Sequence, residues 1–320
     1  MSISTALSKK TIKEKLKYEN EDNKFTKISK KSNLGMNIIL VTLSILSILP
    51  FLFVSIISLS SEESLRANGY SLIPEEWSLY AYRYLFNSGN QMLKSYGVTI
   101  MVTVLGTIIG LLLISTYAYV LSRRSFAYKK FFTMVAFIPM LFSGGMVSSY
   151  LVMTKLLGLK NTIWALILPL CMNTFYVIVL RTFFKNSVPE AVIESAKIDG
   201  ASEFRVFFKI VVPMSLPGIA TIALFLTLGY WNDWFNAMLY IDKNSLIPLQ
   251  YLLMRVENSM EFIINNSTKL GTASIDIAKT MPKESAKMAM VFLSTAPIVF
   301  AYPFFQKYFI SGLTIGAVKE

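Results

Sequence analysis

Little in this sequence is equipped for covalent chemistry. Its 320 residues include no histidine and one cysteine, Cys171. The commonest general base and metal ligand is therefore missing, and no disulfide or thiolate metal site can form within the chain. No G-x-x-x-x-G-K-S/T phosphate loop occurs, and no H-E-x-x-H, C-x-x-C or G-x-S-x-G pattern. An enzyme is thus not expected, least of all one that hydrolyses ATP by the phosphate-loop route. Two clusters remain, and both suit recognition. Tyr230-Trp-Asn-Asp-Trp-Phe-Asn236 gathers aromatic faces, amides and a carboxylate. Rings stack on sugar faces, and Asn232, Asp233 and Asn236 can bond hydroxyls; an aromatic belt at the membrane surface accounts equally for the tryptophans. The second cluster is the charged stretch 190–217, EAVIESAKIDGASEFRVFFKIVVPMSLP, set between two apolar segments.

That stretch reads as a helix–turn–helix. Ser187-Val-Pro-Glu190 has capping-box spacing, a hydroxyl followed three residues later by a carboxylate. A short helix to Ile198 follows, and Asp199-Gly200 ends it where glycine takes a left-handed conformation cheaply. Ser202 can cap a second helix, whose Phe204, Phe207, Phe208 and Val211 fall at i, i+3, i+4 and i+7. Pro213 and Pro217 then open the next apolar segment. The unit is shaped to dock.

The surrounding elements must lie in a membrane. Hydrophobic residues make up 54% of the chain and charged residues 16%, against about 25% charged in soluble domains. Six windows are long enough to cross about 30 Å of hydrocarbon: 36–58, 98–121, 131–152, 163–180, 213–240 and 286–308. With the N-terminus inside, the inner segments hold 20 of the 31 Lys and Arg residues, and the 122–130 loop (SRRSFAYKK) has four basic residues and no acid. Both termini are therefore expected on the cytoplasmic side. The first apolar run is too long for a cleaved signal peptide. The Lys-rich tail 1–35 can meet anionic lipid or RNA, and a solvated tail lying along the membrane accounts for it more simply.

Other signals are local. Pro50 is expected to kink the first span. The outer segment 60–91 has interfacial aromatics, and Gly106 and Gly110 make a small-residue face for close helix packing. Asn173 and Tyr176 are candidate pathway residues in the fourth span, together with Tyr230 and the cluster that follows it, since polar groups in a span face the bundle interior or a wet cavity. Asp233 lies roughly 30 Å above Pro213 along a helix, close to the outer interface. The polar outer segment 241–283 is long enough to meet a partner.

A membrane path with neither a nucleotide site nor buried carboxylate–basic relays needs an outside motor, and the charged stretch is the place to attach one. The rival is an ion-gradient-driven secondary carrier for a small polar solute.

The stretch resembles the EAA loop of ABC-importer permeases, with the pattern E-A-A, three residues, G, nine residues, I-x-L-P. Glu194-Ser195-Ala196, Gly200 and Ile210-Val-Val-Pro213 follow that spacing, with Ser195 and Val212 as departures. Pro189-Glu190, Ala196-Lys-Ile-Asp-Gly-Ala201, Trp231-Asn-Asp-Trp234 and Gly316-Ala-Val-Lys319 are similar to the maltose-type carbohydrate-uptake permeases. Gly69-Tyr-Ser-Leu-Ile-Pro74 fits their oligosaccharide branch. At the C-terminus Ser311 and Glu320 depart from the family pattern. The resemblance implies an all-α integral membrane protein with six transmembrane helices and type I importer architecture. It would comprise a basic tail (1–35), a permease domain (36–310) with coupling loop 181–212, and a cytoplasmic tail (311–320), in the plasma membrane. It also implies a second homologous permease, two ABC ATPase subunits carrying ATP and Mg²⁺, and an extracellular sugar-binding protein as partners, within membrane lipid. No cofactor on this chain and no nucleic acid are expected. Glu190, Glu194, Ser195, Ala196, Asp199, Gly200, Ala201 and Phe204 would then couple to the ATPase, Glu194 and Asp199 accepting charge-assisted bonds.

Overall fold

The computed structural model describes residues 30–87, 90–270 and 281–317. The basic tail before residue 30 and the final residues from 318 lie outside the described residues. Within them helix dominates, and the one β feature is an isolated bridge between Ser60 and Trp77. The main helices are α1 (Lys30–Ser58), α2 (Gln91–Ser122), α3 (Lys129–Leu141), α4 (Thr174–Ser187), α5 (Glu190–Ile198), α6 (Leu216–Trp231), α7 (Leu249–Leu270) and α8 (Lys283–Ala317).

The chain divides into two units, 1–56 and 57–320. In the first, α1 is exposed throughout residues 31–50 and continues through Pro50. Ser44 and Ser47 return their hydroxyls to the Leu40 and Leu43 carbonyls at 2.8 Å. An apolar helix of this length that satisfies its own polar groups suits hydrocarbon.

In the second unit α2 is central. Ile114 and Ala118 pack with Val177, Leu180 and Phe184 of α4 and with Ile222 and Leu226 of α6, all buried. The small-residue face expected on α2 does this work. A Cβ on Gly106 would stand 2.5 Å from the Tyr230 ring, and one on Gly110 would stand 3.0 Å from the Cys171 carbonyl oxygen. Only glycine admits that approach.

The spans are less regular than the sequence suggests. Among the described residues three helices are long and apolar enough to cross a membrane: Lys31–Ser58, Gln91–Ser122 and Lys283–Gln306. Two bent pairs raise the number to five: Lys129–Leu141 with Gly145–Leu156, at 114°, and Glu203–Met214 with Leu216–Trp231, at 85°. The window 163–180 is interrupted. A single turn, Trp164–Ile167, is followed by irregular backbone, and α4 starts at Thr174. Pro169 removes an amide donor from the middle of this window. Asn173, extended at φ −116° and ψ 119°, restarts the helix by accepting the Phe175 N–H at 2.9 Å. The fifth window starts later than expected, at Leu216 after the bend, and α6 ends at Trp231 before a separate helix, Phe235–Tyr240.

The segment after residue 241 holds α7, a helix that its polar composition hid. Leu249, Leu253, Val256, Met260 and Ile263 recur at helical spacing, and they pack with Ala286, Ala289 and Met290 of α8. Glu62 steadies the start of α8 by accepting the Ser285 N–H at 3.1 Å and its hydroxyl at 2.8 Å, a favourable place for an anion. Trp77 and Tyr80 remain exposed, as interfacial residues would be. Helix α8 runs to Ala317.

Candidate functional site

Backbone hydrogen bonds build the turn in 190–217. Helix α5 closes in a Schellman arrangement: Ala201 N–H donates to Ala196 O at 2.9 Å and Gly200 N–H to Lys197 O at 3.0 Å, with Gly200 at φ +80°. Ser202 then accepts the Arg205 N–H at 3.4 Å, as its spacing suggested. The start of α5 differs from expectation. Ser187 is the last residue of α4, its backbone already committed to that helix, and no side chain caps α5. An N-cap needs a non-helical backbone, so no capping box forms, and Glu190 instead stands 4.0 Å from Arg123 Nη1.

The expected stripe of Phe204, Phe207, Phe208 and Val211 also splits. Residues Phe207–Val211 wind as a π turn, so the 3.6-residue period does not hold across them. Val206, Phe207 and Val211 are buried, whereas Phe204 is 77% and Phe208 53% exposed. Ile198, at 86% exposure, adds a third apolar point. Glu194, Ser195, Asp199 and Gly200 are exposed beside them, and Glu190, Ala196 and Ala201 are half-buried. The surface offered is therefore a mixed one, apolar points among acidic acceptors on a bonded backbone.

Two residues absent from the sequence candidates grip this turn from the end of α2. The Tyr119 hydroxyl donates to Glu203 Oε2 at 2.6 Å, and its ring lies 5.1 Å from that of Phe207. Glu203 also pairs with Lys197. Lys197 and then Tyr119 hold the Glu203 carboxyl below the usual carboxylate range. The Arg123 guanidinium sits 5.1 Å from the Tyr119 ring centroid, and its Nε donates to Ser122 Oγ at 3.0 Å. Arg123 is 5% exposed. The only trace of it in the sequence was the basic 122–130 loop, read as a topology signal.

The outer cluster is drawn largely into the fold. Tyr230 is buried, and its hydroxyl donates to Ile167 O at 2.8 Å. Trp231 is buried too, its indole N–H on Ser294 O at 2.9 Å. Asp233 accepts the Asn236 N–H at 3.1 Å and its side-chain amide at 2.9 Å, closing the turn into Phe235–Tyr240. Asn232 is exposed, donates to Leu228 O at 3.0 Å and accepts from Gln250 at 3.4 Å. Asn173 is the exposed cap of α4, and Tyr176 stacks on Phe225 with ring centroids 5.8 Å apart. The structure brings Asp233 and Asn236 together and turns the Tyr230 hydroxyl away from any open face. Among the described residues no group of three His, Cys, Asp or Glu side chains is placed to hold a metal ion.

Residues 122–315 match the family described as binding-protein-dependent transport system inner membrane component. The chain belongs to that family. This permease is 39% identical over 280 residues to the polygalacturonan/rhamnogalacturonan transport system permease protein YtcP of Bacillus subtilis (strain 168), covering 88% of this chain and 95% of that one. Protein LplC of the same organism is 40% identical over 274 residues, with 86% and 90% covered. The fold matches a chain from the crystal structure of a bacterial ABC transporter involved in the import of the acidic polysaccharide alginate. That match has a TM-score of 0.71 and 25% identity, and covers 88% of this chain and 99% of that one. The chain is thus a multi-pass membrane subunit of a binding-protein-dependent transporter, and not its ATP-hydrolysing enzyme. A carrier that works on an ion gradient alone does not fit that family.

Proposed function

We propose that this permease forms half of the translocation path of an ATP-driven oligosaccharide importer, with fragments of acidic polysaccharides as its substrate class. The polygalacturonan/rhamnogalacturonan in the YtcP name and the alginate importer's fold support that class. Six crossings fit the apolar windows if the interrupted stretch 163–187 counts as one, and the basic 122–130 loop favours cytoplasmic termini. The domain limits are those of the sequence reading, a tail at 1–35, a membrane domain at 36–310 and a short tail at 311–320. A second homologous permease, two ATPase subunits, an extracellular sugar-binding protein and the surrounding lipid complete the system. ATP and Mg²⁺ belong to the ATPases, and this chain binds no cofactor or nucleic acid.

One observation carries the coupling role: Ile198, Phe204 and Phe208 stand exposed on a hydrogen-bonded turn beside Glu194 and Asp199. Apolar points of this kind, among acidic acceptors, suit burial against a protein with basic groups. Ser195, Ala196 and Ala201 are small enough for close approach, Gly200 sets the turn, Phe204 buries against the ATPase and Glu190 holds α5 to the bundle. Closure of the ATPase pair on ATP would push this turn and open the path outward. Asn173, Tyr176, Asn232, Asp233 and Asn236 would meet sugar on the outer side, with Tyr230 bracing them from behind.

Deleting residues 195–201 in the assembled importer tests the coupling role. The ATPase should no longer copurify, and sugar uptake should fall to background. Normal copurification and uptake would overturn it.

A further inference from the structure

We propose that Tyr119 and Arg123, at the end of α2, are the positioning residues that carry movement of the coupling turn into the membrane bundle. This rests on reading 190–208 as the surface that meets the ATPase. The turn joins the bundle covalently through two breaks. Val188 and Pro189 are extended on one side (φ −119° and −58°), and an 85° bend follows Met214 on the other. Neither break is continuous helix, so neither passes a push as a rigid rod would. Side-chain contacts must do it.

Tyr119 and Arg123 are placed for that task. Tyr119 lies in the last turn of α2 and Arg123 is the extended residue that ends it, and the Arg123 guanidinium stacks on the Tyr119 ring at 5.1 Å. Each grips a different half of the turn. Arg123 faces Glu190 on α5, and Tyr119 holds Glu203 and packs on Phe207 in the second half. The two contacts differ in state. Tyr119–Glu203 is a made hydrogen bond at 2.6 Å. Arg123 Nη1, buried and without a hydrogen-bond partner among the described residues, stands 4.0 Å from Glu190. A shift of about 1 Å would turn that approach into a charge-assisted hydrogen bond. A small tilt of α5 therefore has a defined contact to complete.

Helix α2 also runs on from this grip through the second unit. It runs 32 residues, Gln91–Ser122, and Gly106 takes the Tyr230 ring against its backbone. Tyr230 is followed directly by the turn of Asn232 and Asp233. One unbroken helix thus connects the gripped coupling turn to the base of the outer cluster, a contiguous path of packed groups.

The test uses the whole importer in lipid, with Tyr119→Phe, Arg123→Gln, Glu203→Gln and the double Tyr119→Phe/Glu203→Gln. Tyr119→Phe keeps the ring and removes one hydroxyl. Two quantities are read: copurification of the ATPase, and the ATP-dependent outward opening. The second is measured as the distance between a spin label at Trp164→Cys and one on the partner permease's outer face, in a Cys171→Ser background. The expected result is full copurification with the outward population reduced about fivefold or more relative to the inward one. The double variant should add nothing beyond its worse single change, since both remove one contact. A wild-type shift in the single variants would overturn the proposal. So would loss of the ATPase in proportion to the lost opening, which would make these residues structural supports of docking. Failure of the coupling-turn reading itself shows separately, as retention of the ATPase after deletion of 195–201.

Discussion

The turn at 190–217 and the polar–aromatic cluster at 230–236 start from the same kind of sequence signal, polar side chains at the edge of an apolar segment, and end differently. In the turn, backbone bonds through Gly200 and Ala201 and one cap from the Ser202 hydroxyl satisfy the main chain, which leaves Glu194, Asp199, Ile198 and Phe204 exposed. In the cluster the side chains are consumed by the fold. Tyr230 holds Ile167, Trp231 holds Ser294, and Asp233 closes its own turn on Asn236. Side chains stay exposed where the backbone needs little help from them. A polar cluster at a helix end is mostly the help itself.

Four changes press on this contrast. The largest effect is expected at Gly200, where φ is +80° and the space around a Cβ is open, so strain comes from the backbone alone. Gly200→Val should cost about 1–2 kcal/mol of local strain and reshape the surface, cutting ATPase copurification while the permease still inserts. Undiminished copurification would mean the turn's shape is not what the ATPase reads. Next comes Asp233→Ala, which removes the acceptor for Asn236 and should destabilise the permease by about 1 kcal/mol, seen as a lower thermal unfolding midpoint in detergent. Asn232→Ala, exposed nearby, should leave that midpoint in place and lower uptake; equal melting shifts for both would erase the distinction between consumed and exposed residues. The smallest effect is pH-dependent. The Glu203 carboxyl is held low by Lys197 and Tyr119, so its stabilising contribution is complete above the ordinary glutamate range, near pH ~4.3, and fades as pH falls through its lowered folded value. The gap in unfolding midpoint between the native permease and Glu203→Gln should therefore be present at pH 7 and shrink on acidification. A gap that widens in acid would contradict the pairing.

How much of this was legible beforehand depended on range. Gly200 and Ser202 were readable because their roles are settled by neighbours within five residues. The capping box at Ser187 was misread because α4 extends far enough to claim that residue, and a four-residue pattern carries no record of where the preceding helix stops. The phenylalanine stripe was misread because a π turn shifts the register under it. Helix α7 was readable in its apolar spacing and was obscured by its polar composition.

The sequence by itself determined the membrane setting, the turn at Asp199-Gly200 and the lack of a phosphate loop, because apolar length, glycine conformation and phosphate-loop spacing are local properties. Tertiary structure alone decided which phenylalanines stay exposed, that Tyr230 is a brace, and that Tyr119 holds Glu203 across 84 residues of chain. Those outcomes depend on which side chains distant segments bring together, and neither spacing nor composition encodes that meeting.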